Sequence, residues 1–85
     1  MDRDEWIGKF SELTGARAPT PDEVEAILEL AGVAAHASER TAAPVACWMA
    51  AQTGRPVADL LPVTREVERT LPPAPAHGAG PTPAV

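Results

Sequence analysis

A chain of 85 residues has room for one small hydrophobic core, and its single cysteine, Cys47, rules out an intramolecular disulfide. The formal charge of −5 is concentrated in residues 1–29, which hold eight acidic and three basic side chains. No Lys/Arg stripe offsets that acidity, which argues against nucleic-acid binding, and no run approaches the roughly 20 apolar residues of a membrane-spanning helix.

The first expected helix covers Met1 to Thr14, where Trp6, Phe10 and Leu13 recur at helical spacing with Ile7 beside them. Asp2 and Glu5 have the spacing of a capping box, Met1 is placed to staple onto Trp6, and Gly15 is a stop signal. A second helix is announced by Thr20-Pro21-Asp22-Glu23: a capping threonine, proline at the first helical position and a glutamate closing a second capping box. Steps of 100° put Val24, Ile27, Leu28, Ala31, Ala34 and Ala35 on one face, with Ala26, Leu30, Val33 and Ala37 extending it sideways. This helix reads as the central one, packed on more than one side.

Pro44 lacks the N–H that would bond the Arg40 carbonyl, so the second helix is expected to end near Arg40 and a third to begin, with Thr41 as its cap. Residues 45–53 are apolar nearly all round, the pattern of a buried helix. Gly54 ends it. Arg55-Pro56 opens a fourth segment in which Val57, Leu60, Leu61, Thr64, Val67 and Leu71 share a face, and Pro62 either kinks it or splits it. The run PPAPAHGAGPTPAV carries five prolines and no formal charge, a composition that cannot bury enough apolar surface to order itself. The expectation is an all-α domain over residues 1–71, a bundle of about four helices, followed by a disordered Pro/Ala/Gly-rich tail over 72–85. With no signal-peptide pattern at its start, the chain reads as cytoplasmic.

One stretch stands out for chemistry. His36 and Arg40 lie one helical turn apart, with Glu39 nearby and Thr41 at the start of the next helix. Two readings are open. The four residues form a binding site in which Arg40, His36 and free N–H groups of the third helix hold a phosphate or carboxylate or meet a partner. Alternatively, Arg40 neutralises the end of the second helix while His36 is solvated or pairs with Glu29, and Glu39 pairs with Arg17 or Arg55. Ser38 falls on the apolar face, where its hydroxyl bonds back to the Ala34 carbonyl. Trp6 and Trp48 are large for so small a core; they read as core anchors, and as markers of a partner surface if either is left exposed.

No catalytic constellation can be assembled. Cys47 sits in an apolar helix where burial raises its pKa and leaves it inert. One cysteine and two histidines do not supply a zinc pattern, and Gly78 and Gly80 have no strand before them to make a phosphate loop. No enzyme activity, cofactor or metal is therefore expected.

The residues Asp4-Glu5-Trp6, Leu30-Ala31, Val33-Ala34, Ala35-His36, Arg40 and Ala42-Ala43-Pro44-Val45 resemble a small helical domain of unknown function from actinobacteria, over roughly Met1 to Arg69. That domain occurs alone, or with molybdenum-cofactor guanylyltransferase-like enzymes. The resemblance implies a setting in molybdenum-cofactor biosynthesis and no mechanism. The expected role is a non-catalytic accessory or protein-interaction module with a protein partner, such as a molybdenum-cofactor enzyme. The alternative is an anion-binding module at His36 and Arg40. The sequence leaves the oligomeric state open.

Overall fold

The computed structural model describes residues 1–70. Within them the chain forms four α-helices and no strand: α1 (Arg3–Thr14), α2 (Pro21–Ala37), α3 (Ala42–Gln52) and α4 (Val57–Thr70). The all-α, four-helix expectation holds. Leu71 and the expected tail over 72–85 lie outside the described residues.

Local signals place the starts of the first two helices. The Asp2 carboxylate accepts from the Glu5 N–H at 2.8 Å while the Glu5 side chain accepts from the Asp2 N–H at 3.1 Å, which satisfies two donors a helix start leaves unpaired. Thr20 and Glu23 repeat the device at α2, with Pro21 in the first turn. Gly15 ends α1 at φ +78°, in the left-handed region that glycine enters without a Cβ clash. Met1 stays exposed and does not act as a staple; Trp6 stacks instead on Phe10, ring centroids 5.1 Å apart and planes 14° from parallel.

The link between α1 and α2 is tied down. Arg17 makes a two-pronged ion pair with Glu23, both contacts 2.9 Å, and the Ser11 hydroxyl donates to the Ala16 carbonyl. The hydrogen bonds from Arg17, and then from the Thr20 N–H, lower the Glu23 pKa to about 2. A carboxylate with a lowered folded-state pKa contributes stability above its ordinary value of 4.5 and loses it as pH falls toward 2. An acid titration of the Glu23 carboxyl by NMR is expected to show a midpoint near 2. Arg17→Ala moves that midpoint up toward the usual carboxylate range, and an unchanged midpoint would mean the clamp is not formed. Because the pair is exposed, added salt weakens it.

The core is formed by α2, α3 and α4. Both α3 and α4 pack along α2 and meet each other only sparingly, while α1 makes no close approach to any of the three. Leu30, Ala50 and Leu60, one from each helix, form the buried cluster, with Ala46, Cys47, Val57 and Leu61 packed against it. The buried face of α2 is Ala26, Leu30 and Val33, so the arc expected as a lateral extension is the packed one, and Leu28 from the expected main face is half exposed. α4 runs through Pro62 as one helix, which rules out the split.

Two helix ends differ from expectation. α2 stops at Ala37, three residues before Arg40, because Ser38 leaves helical geometry at φ −138° and ψ −94° and its hydroxyl accepts from the Glu39 N–H at 2.5 Å. The same hydroxyl donates to the Ala34 carbonyl at 3.3 Å, as expected for Ser38. The third helix was expected to be buried; only Ala50 is, while Val45, Trp48 and Met49 are exposed. An all-round apolar helix needs cover on all sides, and this domain covers α3 on one.

Candidate functional site

Between α3 and α4, with α2 as its floor, lies an apolar groove of about 420 Å³. Leu30, Val33, Ala34 and Ala37 come from α2, Ala42, Ala46 and Met49 from α3, and Leu60, Val63 and Val67 from α4. It exists because α3 and α4 both follow α2 and barely touch each other, and because α3 turns alanines inward, so no long side chain fills the gap. Met49, Val63 and Val67 form exposed apolar lips, and Glu68 adds a carboxylate at the rim. A slot of apolar walls with a polar rim is suited to the apolar face of another helix.

The residues picked out by sequence sit at one end of this groove. Ala37, Ser38 and Ala42 line it, and the turn between them holds Glu39, Arg40 and Thr41, all exposed, with His36 exposed in the last turn of α2. Because α2 ends at Ala37, His36 and Arg40 do not share a helix face. Glu29 pairs with Arg65 at 2.8 Å and not with His36; Arg17 pairs with Glu23 and Arg55 reaches the Asp59 carbonyl, so neither arginine pairs with Glu39. Among the described residues, His36, Glu39 and Arg40 make no ion pair.

Two of the donors at the start of α3 are already taken. The Ala42 and Ala43 N–H groups bond the carbonyls of Glu39 and Arg40 at 2.9 and 3.1 Å, and Pro44 has none. Thr41 occupies the cap position in helical geometry, and its side chain makes no capping bond. The junction is thus an exposed polar edge beside an apolar slot.

Trp6 and Trp48, expected as core anchors, are 56% and 65% exposed, which moves both to the partner-surface reading. Trp48 lies outside the α3 lip of the groove with Val45, and Trp6 lies on α1 with Phe10 and Leu13, also exposed. Cys47 is half-buried against the core, and burial pushes its thiol pKa up, as an inert packed cysteine requires. Among the described residues no group of histidine, cysteine and carboxylate side chains is arranged to hold a metal, and no helix is long and apolar enough to cross a membrane.

A second cleft, between the start of α2 and the α3–α4 turn, is lined by Arg17, Glu23, Ile27, Arg55 and Val57. The Arg17 charge there is already matched by Glu23.

Sequence reasoning found the polar edge and missed the slot. The signal present in the sequence was Val63, an apolar residue outside the main face of the fourth helix and one turn before Val67.

The model of a family described as "Domain of unknown function (DUF6457)" matches residues 1–71. The chain belongs to that family. The match takes in all four helices of the DUF6457 domain and ends one residue past α4. No curated protein and no solved structure matches the chain.

Proposed function

We propose that this DUF6457 domain is a non-catalytic docking module whose groove between α3 and α4 receives an amphipathic helix. The observation that carries the reading is the groove itself: apolar on three walls, open along its length, and edged by Met49, Val63 and Val67. Docking of an apolar helix face into such a slot is driven by the area removed from water, at about 25 cal/mol per Å². For the setting we propose molybdenum-cofactor biosynthesis, a proposal that rests on the sequence resemblance, and a nucleotidyltransferase-type enzyme is then the heterologous chain to look for.

Val67→Glu tests the docking reading. Val67 is half exposed on the groove lip, so the substitution places a charge where an apolar helix would seat without touching the buried cluster. Crosslinking in host lysate is expected to join the wild-type chain to another polypeptide, and the variant is expected to lose that product by tenfold or more, the loss of a central contact costing at least about 1.4 kcal/mol. Identical crosslinking of both chains would overturn the proposal.

A further inference from the structure

α1 is a helix without a partner, and the groove is a slot without a helix. Trp6, Phe10 and Leu13 lie along one side of α1 and all are exposed, no residue of α1 is fully buried although Ile7 and Ser11 are half-buried, and its Cα atoms stay more than 8 Å from those of the other helices. Four-helix domains bury an apolar stripe from each helix; here the apolar surface of the missing fourth position is present in the chain and lies elsewhere.

The α1–α2 link explains why a chain does not fill its own groove. The groove begins at Leu30 and runs to Ala37, roughly 14 to 24 Å along α2 from Pro21 at 1.5 Å per residue. The six residues from Gly15 to Thr20 are held short by the Ser11–Ala16 hydrogen bond and the Arg17–Glu23 clamp. With the link so fixed, α1 stands clear of α2 and does not fold back along it. In a second copy that tether is absent.

We infer that the occupant is α1 of a second copy, so that two chains exchange their first helices reciprocally, each seating Trp6, Phe10 and Leu13 in the other's groove. This rests on the docking reading above and names its partner. A twofold pair in which the same helix and the same groove meet twice closes on itself and leaves no open end. Fully buried aromatic side chains contribute about 150–250 Å² each, and two seats with their facing groove walls reach the roughly 1,200 Å² at which specific interfaces begin.

Charge sets the direction. Arg40 stands at the Ala37–Ala42 end of the groove with no ion-pair partner among the described residues, and the first turn of α1 carries Asp4 and Glu5. Pairing of these carboxylates with Arg40 favours an incoming helix that runs parallel to α3, and the neighbouring Glu39 and the Arg3–Asp4 pair reduce that preference.

Sedimentation equilibrium of the purified full chain across a concentration series tests the exchange. The wild type is expected to approach twice its 8.9 kDa mass. Phe10→Glu and Val67→Glu, both at half-exposed positions outside the core, are each expected to weaken dimerisation about a hundredfold, as loss of a central apolar contact does, with the helical circular dichroism unchanged. An equimolar mixture of the two variants is expected to associate more tightly than either alone and more weakly than the wild type, because α1 of the Val67→Glu chain still fits the groove of the Phe10→Glu chain while the second seat carries both substitutions. In a Trp48→Phe background, the emission of Trp6 shifts to shorter wavelength as the dimer forms. A wild type that stays monomeric or a dimer that survives Phe10→Glu would each overturn the exchange. A monomeric wild type whose lysate crosslink to another protein still depends on Val67 would overturn the second copy as occupant and leave the docking reading standing.

Discussion

Leu30→Ala is expected to lower the unfolding free energy by about 2–4 kcal/mol, the range for deleting a buried leucine side chain. Leu30 is 4% exposed, the most buried residue of the core, and joins α2 to Ala50 of α3 and Leu60 of α4. Removing it therefore loosens both packed interfaces at once. Two of its neighbours limit relaxation in opposite ways: Ala50 is too short to reach into the cavity, and Leu60 already contacts both other helices. A domain of this size holds about 4–10 kcal/mol in total, at 0.05–0.15 kcal/mol per residue, so the substitution removes a large share. Urea unfolding followed by circular dichroism at fixed protein concentration measures the loss. Leu28→Ala on the half-exposed arc of the same helix is the control, with a cost below about 1 kcal/mol. Equal costs at the two positions would mean that the α2 face is wrongly assigned.

That contrast shows what the sequence could and could not resolve. The capping boxes at Asp2/Glu5 and Thr20/Glu23 are complete in the sequence, because each needs only residues three apart, and both are formed. The glycine stops at 15 and 54 are equally local, and both adopt positive φ. The second helix, by contrast, carries two apolar arcs, and periodicity cannot say which one is occupied: that depends on where the turns at 38–41 and 53–56 send the following helices. The missing N–H of Pro44 points to an end of α2 near Arg40, yet the helix breaks earlier, where Ser38 offers its hydroxyl to the next backbone N–H. The apolar circumference of α3 was legible as a demand for cover. A single sequence does not say whether that cover comes from the same chain, and α1 with its exposed Trp6 presents the same ambiguity. The polar edge from His36 to Thr41 was legible for its composition, and its meaning follows from the groove beside it, built from residues distant in sequence.

Gly54→Val is the other large effect, expected at about 1–2 kcal/mol. Gly54 follows α3 at φ +70°, where an L side chain costs roughly that much, and a branched one more than alanine. Nothing lies within 4 Å of where its Cβ would stand, so the cost is backbone strain and not a clash. The turn has little room to adjust, since the Thr53 hydroxyl donates to the Ala50 carbonyl and accepts from the Arg55 N–H. For a domain of this size the melting temperature is expected to fall by about 4–16 °C, at 4–8 °C per kcal/mol. Gly54→Asn should recover much of it, because asparagine tolerates the left-handed region. Gly15 supplies the matched comparison: its φ is +78°, its Cβ position is equally open, and it ends a helix whose backbone approaches no other. Strain at Gly54 must be absorbed by the α3–α4 turn and so by the core and the groove walls, whereas strain at Gly15 can be relieved by fraying α1 alone. Dilute Gly15→Val protein is therefore expected to melt close to wild type. If α1 seats in a second copy, that difference narrows as concentration rises, because the free energy of docking then depends on a well-formed α1. A Gly15→Val penalty that is large at all dilutions would mean that α1 is coupled to its own α2–α4 core.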